Sequence, residues 1–244
     1  MAVIQVQNLK KNYGKNVGTR DVTFAVNEGE LFGFVGPNGA GKSTTIKALL
    51  GFLFASDGSA FICGKDVARD SKEIKRFTGY VPSDVRLYDN LRISELLQWN
   101  ARFHGSAEHD KEAERLCSLF ELDPSKRFLE LSTGNKKKAS IVCALAPQPR
   151  VLILDEPTNG LDPMMQKKLF DELITQKERG VTVLLSSHNL TEVGEYCDRV
   201  AFIKDGVILA VTDLKNVRHR KIVTITDTEG NQSTFHFEGD AQNS

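Results

Sequence analysis

The sequence predicts an α/β fold in which a mixed, largely parallel core sheet carries an N-terminal antiparallel β-subdomain and an inserted α-helical subdomain. Three observations lead there. An apolar pentapeptide over 31–35, LFGFV, runs into a glycine-rich loop and then into a helical pattern over 44–50. A second apolar run over 151–154, VLIL, has the continuous character of a parallel strand buried on both faces, and helix and strand patterns alternate after it. Residues 3–9 and 22–26 instead alternate apolar and polar side chains, as half-buried antiparallel strands do.

In chain order, the strands over 3–9 and 22–26 form the small antiparallel sheet, and Asn27-Glu28-Gly29 turns the chain into the strand over 31–35. The helix over 44–50 ends near Gly51, and a further strand over 59–63 is closed by Gly64. From Ser94 the period changes: Ser94 caps a helix running through Leu96, Leu97 and Phe103, and residues 108–122 carry Leu116, Leu119 and Phe120 at helical spacing. This block separates the glycine-rich loop from the next buried strand, which makes it an insertion at about 84–145. A helix over 164–179 is capped by Gly180; a strand over 181–185, another helix and a strand over 200–203 follow, and Asp205-Gly206 marks a tight hairpin turn. The main domain spans 1–218. Beyond it, residues 219–244 hold a hairpin with strands over 221–226 and 234–237 joined by Asp227-Thr228-Glu229-Gly230-Asn231; its second strand stops close to Ser244, so the natural chain can extend past that point.

At 244 residues, 40% apolar and 26% charged, the chain suits one sizeable globular domain with an insertion and an appendage. Lys+Arg and Asp+Glu both number 32, so no global field attracts nucleic acid, and no nucleic-acid partner is expected. Cys63, Cys117, Cys143 and Cys197 are dispersed, which argues against a zinc site or a disulfide framework and for reduced thiols. The N-terminus lacks the basic start and apolar core of a signal peptide, and no apolar run approaches a membrane span.

The chemistry concentrates in Gly36-Pro37-Asn38-Gly39-Ala40-Gly41-Lys42-Ser43-Thr44. Between a strand and a helix, glycines at this spacing let backbone N–H groups converge on an anion, and the helix N-terminus adds partial positive charge. The pattern implies binding of ATP or GTP, with Lys42 on the β- and γ-phosphates and the Ser43 hydroxyl on Mg²⁺. Two adjacent acids, Asp155 and Glu156, end the buried strand and must point differently. Asp155 is expected to hold Mg²⁺, directly or through water, and Glu156 to orient or deprotonate the attacking water.

GPNGAGKST, the strand VLILDEP, the turn Asn159-Gly160-Leu161-Asp162 and the lone His188 after VTVLLSS together resemble the ATP-binding cassette (ABC) ATPases, in order and spacing, from about residue 3 to 208. The resemblance implies the ABC-type version of the P-loop NTPase fold. It further implies that Tyr13 stacks on adenine, that His188 contacts the γ-phosphate and positions the water, and that Asp162 communicates across a dimer. Leu131-Ser132-Thr133-Gly134-Asn135 stands where the family carries LSGGQ; Ser132 and Gly134 keep the hydroxyl and the close backbone approach, while Thr133 and Asn135 depart from the pattern. Ser83 falls where most members place a glutamine that touches Mg²⁺, and a serine reaches the metal only through a water. Lys136-Lys137-Lys138, opening the next helix, reads as a solvated face rather than a site for acidic lipid.

By the same resemblance, two copies, or this chain and a homologous cassette, bind head to tail around ATP, each laying Ser132 and Gly134 on the nucleotide held by the other. The implied role is the ATP-hydrolysing subunit of a transporter whose membrane permease is a separate chain, docking near residues 83–97 at the cytoplasmic face of the membrane. Pro82-Ser83-Asp84 and the terminal hairpin are similar to exporter-type cassettes. A soluble ABC ATPase acting on ribosomes or DNA is the alternative, but such members carry paired cassettes or a long coiled coil, and neither pattern is present.

Overall fold

The computed structural model of the chain describes residues 1–14, 16–86, 88–105, 108–214, 222–226 and 232–236. Strands β1 (Ala2–Tyr13) and β2 (Asn16–Asn27) pair antiparallel, and β3 (Leu31–Val35) delivers the glycine-rich loop to α1 (Lys42–Leu49). Strands β4 (Asp57–Ile62) and β5 (Lys65–Asp66) extend the antiparallel layer outward from β1. Next come α2 (Val67–Arg76) and β6 (Thr78–Val81), neither of which the sequence pattern revealed. In α2 only Val67 and Ile74 are buried, and β6 is a four-residue edge strand, so neither leaves a long periodic signature.

The insertion follows with α3 (Ile93–His104), α4 (His109–Leu119) and α5 (Thr133–Leu145). The expected cap at Ser94 is corrected: the helix starts two residues earlier, after Arg92, whose backbone N–H is accepted by the Glu95 carboxylate at 2.7 Å. Phe103 lies on the exposed side of that helix, and α4 is shorter than its apolar spacing suggested because Phe120 and Leu122 pack from beyond its end. The chain then alternates through β7 (Val151–Asp155), α6 (Pro163–Glu178), β8 (Thr182–Ser187), α7 (Leu190–Tyr196) and β9 (Arg199–Lys204), and the Asp205-Gly206 turn folds β10 (Val207–Asp213) back on β9. Both turn residues have positive φ, 50° and 79°, as a tight two-residue hairpin requires.

Among the described residues ten strands form one sheet in the order β5-β4-β1-β2-β10-β9-β3-β8-β7-β6, parallel from β9 to β6 and antiparallel from β2 to β5. The antiparallel layer joins the core sheet through the single pair Asp21 and Val207. Period-two alternation sorts the core onto two faces: Phe32, Phe34, Val151, Ile153 and Leu184 pack with α1 and the β1–β2 layer, whereas Leu31, Val35, Leu152, Leu154, Val183 and Leu185 pack with the insertion, α6 and α7. Strands β11 (Ile222–Thr226) and β12 (Gln232–His236) form a separate antiparallel hairpin; its turn over 227–231 and the residues after 236 lie outside the described residues.

An ionic fork fastens α4 to α6. Arg115 donates to Glu112 at 2.7 and 3.0 Å and to Glu172 at 2.7 and 3.0 Å, while Gln176 donates to Glu172 at 2.7 Å. Both carboxylates are buried. The Arg115 hydrogen bonds are the main cause that holds the Glu112 carboxyl below its ordinary value. Arg115→Leu leaves buried Glu172 without its cation and Glu112 with Arg179 alone at 3.4 Å, and is expected to lower unfolding free energy by about 3 kcal/mol in urea titrations. Because the folded Glu112 pKa is depressed, its contribution is complete above the ordinary value of 4.5 and fades as pH falls through the lower folded value, so the wild-type advantage over the variant should shrink in acid.

Candidate functional site

The cleft forms where β3, β7 and β8 end side by side. A Cβ on Gly36 would fall 2.1 Å from the Ile203 carbonyl oxygen, so only glycine lets the loop press against β9. Gly41 has φ +106°, and a Cβ there would meet the Gly18 carbonyl oxygen at 2.8 Å. The loop therefore lies flat, and α1 points its N-terminus into a cleft of about 380 Å³. Lys42 folds back across the loop, donating to the Gly36 carbonyl at 2.7 Å and the Pro37 carbonyl at 3.3 Å, and its Nζ lies 3.3 Å from Glu156 Oε1.

The two acids point apart, as expected, but a turn at Glu156 rather than strand alternation separates them. Asp155, the last residue of β7, is fully buried; its Oδ1 accepts from Ser186 Oγ at 2.6 Å, and its Oδ2 has no hydrogen-bond partner among the described residues. Glu156 has φ +49°, a left-handed conformation that costs a non-glycine residue roughly 1–3 kcal/mol. Its peptide is pinned on both sides: the N–H donates to the Ser186 carbonyl at 3.2 Å and to Ser186 Oγ at 3.1 Å, and its carbonyl accepts from Lys137 at 3.3 Å. The resulting turn aims the side chain into the cleft, where Oε2 lies 2.7 Å from His188 Nδ1. Behind His188, Glu192 accepts from Thr158 Oγ1 at 3.2 Å and Ser187 Oγ at 3.4 Å; burial pushes its carboxyl up, against these hydrogen bonds.

Of the residues expected from sequence, Asn38, Gly39, Gly41, Lys42, Ser43, Thr44, Ser83, Glu156 and His188 line the cleft. Gly36, Pro37 and Ala40 form the loop beneath, and the Pro37 carbonyl accepts from the Ala40 N–H at 3.2 Å. Tyr13 stands beside the cleft residue Gly18, so close that a Cβ on Gly18 would lie 2.7 Å from the Tyr13 ring. Ser132 and Gly134 are not in the cleft. Ser132 caps α5, accepting from the Asn135 N–H at 3.3 Å, and Gly134 abuts the Gly160 carbonyl, which a Cβ would approach to 2.7 Å.

Sequence reasoning missed Gly18 and Asn159 as cleft residues, Ser186 as the brace of both acids, and Lys137. The solvated-face reading of the lysine run is corrected for Lys137. It is 2% exposed, on the same inward face of α5 as Ile141, and Lys136 lies over the Phe128 ring at 5.1 Å. Three consecutive lysines look equivalent in a string; helical periodicity turns only the middle one inward.

The model of the family described as ABC transporter matches residues 19–159. The chain is 36% identical over 213 residues to the probable multidrug ABC transporter ATP-binding protein YbhF of Escherichia coli (strain K12), covering 85% of this chain but only 36% of that protein's length. It is 34% identical over 220 residues to the linearmycin resistance ATP-binding protein LnrL of Bacillus subtilis (strain 168), covering 87% of this chain and 70% of that protein. Among solved structures, the ATP-binding subunit of an ABC transporter shares 34% identity with a TM-score of 0.83, covering 89% and 92% of the two chains. The dimeric structure of a bacterial ABC transporter cassette shares 25% with a TM-score of 0.78, covering 86% and 98%.

Ser186→Ala removes the one hydrogen bond to Asp155 Oδ1 while Glu156 keeps its bond to the Ser186 carbonyl. Leaving a buried carboxylate unsatisfied is expected to cost about 2 kcal/mol of stability in denaturant titration, and an unchanged midpoint would show that Asp155 needs no such brace.

Proposed function

The chain belongs to the ABC transporter family, and from that membership we propose that it is the ATP-binding and ATP-hydrolysing subunit of a membrane transporter. The observation that carries this reading is the convergence of Lys42, Glu156 and His188 on one cleft at the N-terminus of α1. ATP phosphates seat on the loop amides, with Tyr13 against the adenine. Lys42 then exchanges Glu156 Oε1 for a γ-phosphate oxygen. The freed oxygen accepts the proton of a water that attacks the γ-phosphorus, an oxygen–phosphorus bond forms, and the bond to the ADP oxygen breaks. His188 holds the other carboxylate oxygen, which keeps the base aimed while Lys42 changes partners.

The unpartnered Oδ2 of buried Asp155 fits a divalent cation, and Ser43 Oγ with that oxygen would hold Mg²⁺, with Ser83 reaching it through a water. When bound, Mg²⁺ neutralises phosphate charge. Ser132 and Gly134, turned away from this chain's own cleft, serve the nucleotide of a second copy or a homologous cassette, a reading supported by the dimeric relative. Among the described residues no helix is long and apolar enough to cross a membrane. The transport path belongs to a separate permease chain, a reading supported by relatives named as ATP-binding proteins of transporters. That permease docks near residues 83–97, on the insertion placed at about 84–145, at the cytoplasmic face. The relatives named for multidrug transport and linearmycin resistance favour export, and the β11–β12 hairpin lies in the appendage placed at 219–244.

Glu156→Gln should bind ATP with wild-type affinity and run as a dimer in size-exclusion chromatography with ATP, while phosphate release falls at least ~100-fold. Near wild-type turnover would remove Glu156 as the base. Lys42→Ala should lose ATP binding in equilibrium dialysis, and retained affinity would displace the cleft as the nucleotide site.

A further inference from the structure

We infer that Lys137 is a positioning residue for hydrolysis, joining the start of the insertion and the loop at Pro82 and Ser83 to the peptide of Glu156. The inference rests on the hydrolase reading and adds to it a residue with no contact to the cleft's phosphate end.

Lys137 Nζ donates to the Pro82 carbonyl at 2.8 Å, the Ser83 carbonyl at 2.9 Å and the Glu156 carbonyl at 3.3 Å. An ammonium has three N–H groups and no acceptor, so these three bonds use its whole capacity. The side chain is 2% exposed, and burial drives its pKa down while Asp155, Glu156 and Asp84 pull it up. A buried cation is a costly way to fill space, and an unbranched methionine, one atom shorter, would fill most of it without burying a charge. What the cation adds is convergence: one point fixes carbonyls from two segments more than seventy residues apart in sequence.

The placement matters because Glu156 is held left-handed. The N–H of that residue is held by the Ser186 carbonyl and Oγ, and its carbonyl is shared by Lys137 at 3.3 Å and the Asn159 N–H at 3.4 Å; losing Lys137 leaves the carbonyl on a bond from its own turn alone, which lets ψ relax and swings the carboxylate away from Lys42 and His188. Ser83 reaches this point through its backbone, since its side chain is short; the link between the loop at 83 and the catalytic acid runs through Lys137 instead. Lys137 also sits on the helix that Ser132 caps, one turn in, so a shift of that helix start is delivered to the Glu156 peptide by a single side chain.

The test measures steady-state ATP hydrolysis, equilibrium ATP affinity and thermal midpoint for the full chain as wild type, Lys137→Met and Lys137→Arg. Lys137→Met is expected to lose at least ~10-fold in kcat with KM and ATP affinity within ~2-fold of wild type. Lys137→Arg, which keeps the charge and several donors, is expected to recover more than about half of the lost rate. A folded Met variant with wild-type kcat overturns the inference, and so does a parallel loss of kcat and ATP affinity in both variants, which marks a general packing role. If the Met variant does not fold, Lys137→Gln, which removes the charge but keeps a donor, takes its place: wild-type ATP affinity with a lowered kcat supports positioning, and an unchanged kcat overturns it. An inactive wild type assayed alongside overturns the hydrolase reading itself, so the two failures are distinct.

Discussion

The peptide of Glu156 is the constraint on which the site depends. It lies one residue past a strand buried on both faces, at a φ that non-glycine residues avoid, and it stays there because its N–H and its carbonyl are both bonded to other elements. Strand β7 alone would let Asp155 and Glu156 diverge to opposite faces. The left-handed turn at Glu156 instead drops Asp155 against Ser186 and lifts Glu156 toward Lys42 and His188. One backbone conformation thereby divides two adjacent acids between a buried polar niche and an open cleft.

The fold supplies the neighbours of that peptide by strand order rather than by sequence order. Strand β8 lies between β3 and β7, so the phosphate loop from β3, Ser186 to His188 at the end of β8, and the acids from β7 leave the sheet at one edge. Ligand sites of parallel sheets collect at the carboxyl ends of the strands for this reason. The two faces of the sheet then take separate duties: one holds α1 beneath the antiparallel layer, and the other receives the insertion.

Much of this was legible in the sequence, because the elements concerned carry strong local signals. LFGFV before a glycine-rich loop, VLILD before Glu156, and Gly180 after a long helix each state a period and a boundary together. The weak signals belonged to α2 and β6, which are short and bury few side chains, and to the Arg92 start of α3, where a backbone N–H bound by Glu95 does the capping that Ser94 seemed chemically suited to do. Ser186 and Lys137 were illegible for a different reason. Their roles exist only through pairing in space, Ser186 by register with Asp155 across β7 and β8, and Lys137 by helical phase beneath the loop at Pro82.

The insertion is attached to the core at both edges of the sheet, by contacts of different physical character. At the carboxyl edge Lys137 binds neutral carbonyls, while at the opposite edge Arg115 is forked between Glu112 of α4 and Glu172 of α6, beside a cavity of about 660 Å³ that Arg150 and Thr182 also line. The fork, with Arg179 also reaching Glu112 at 3.4 Å, sets two cations against two carboxylates; it resists separation but tolerates small changes of angle, since long side chains can follow. The carbonyl contact tolerates less, because three acceptors must meet one nitrogen at hydrogen-bond distance. A rotation of the insertion about the Arg115 end therefore leaves α4 and α6 joined while it moves the far end of the lever, where Ser132 and Lys137 share a helix. Of the two attachments, the one beside Glu156 is the one whose geometry such a rotation alters first.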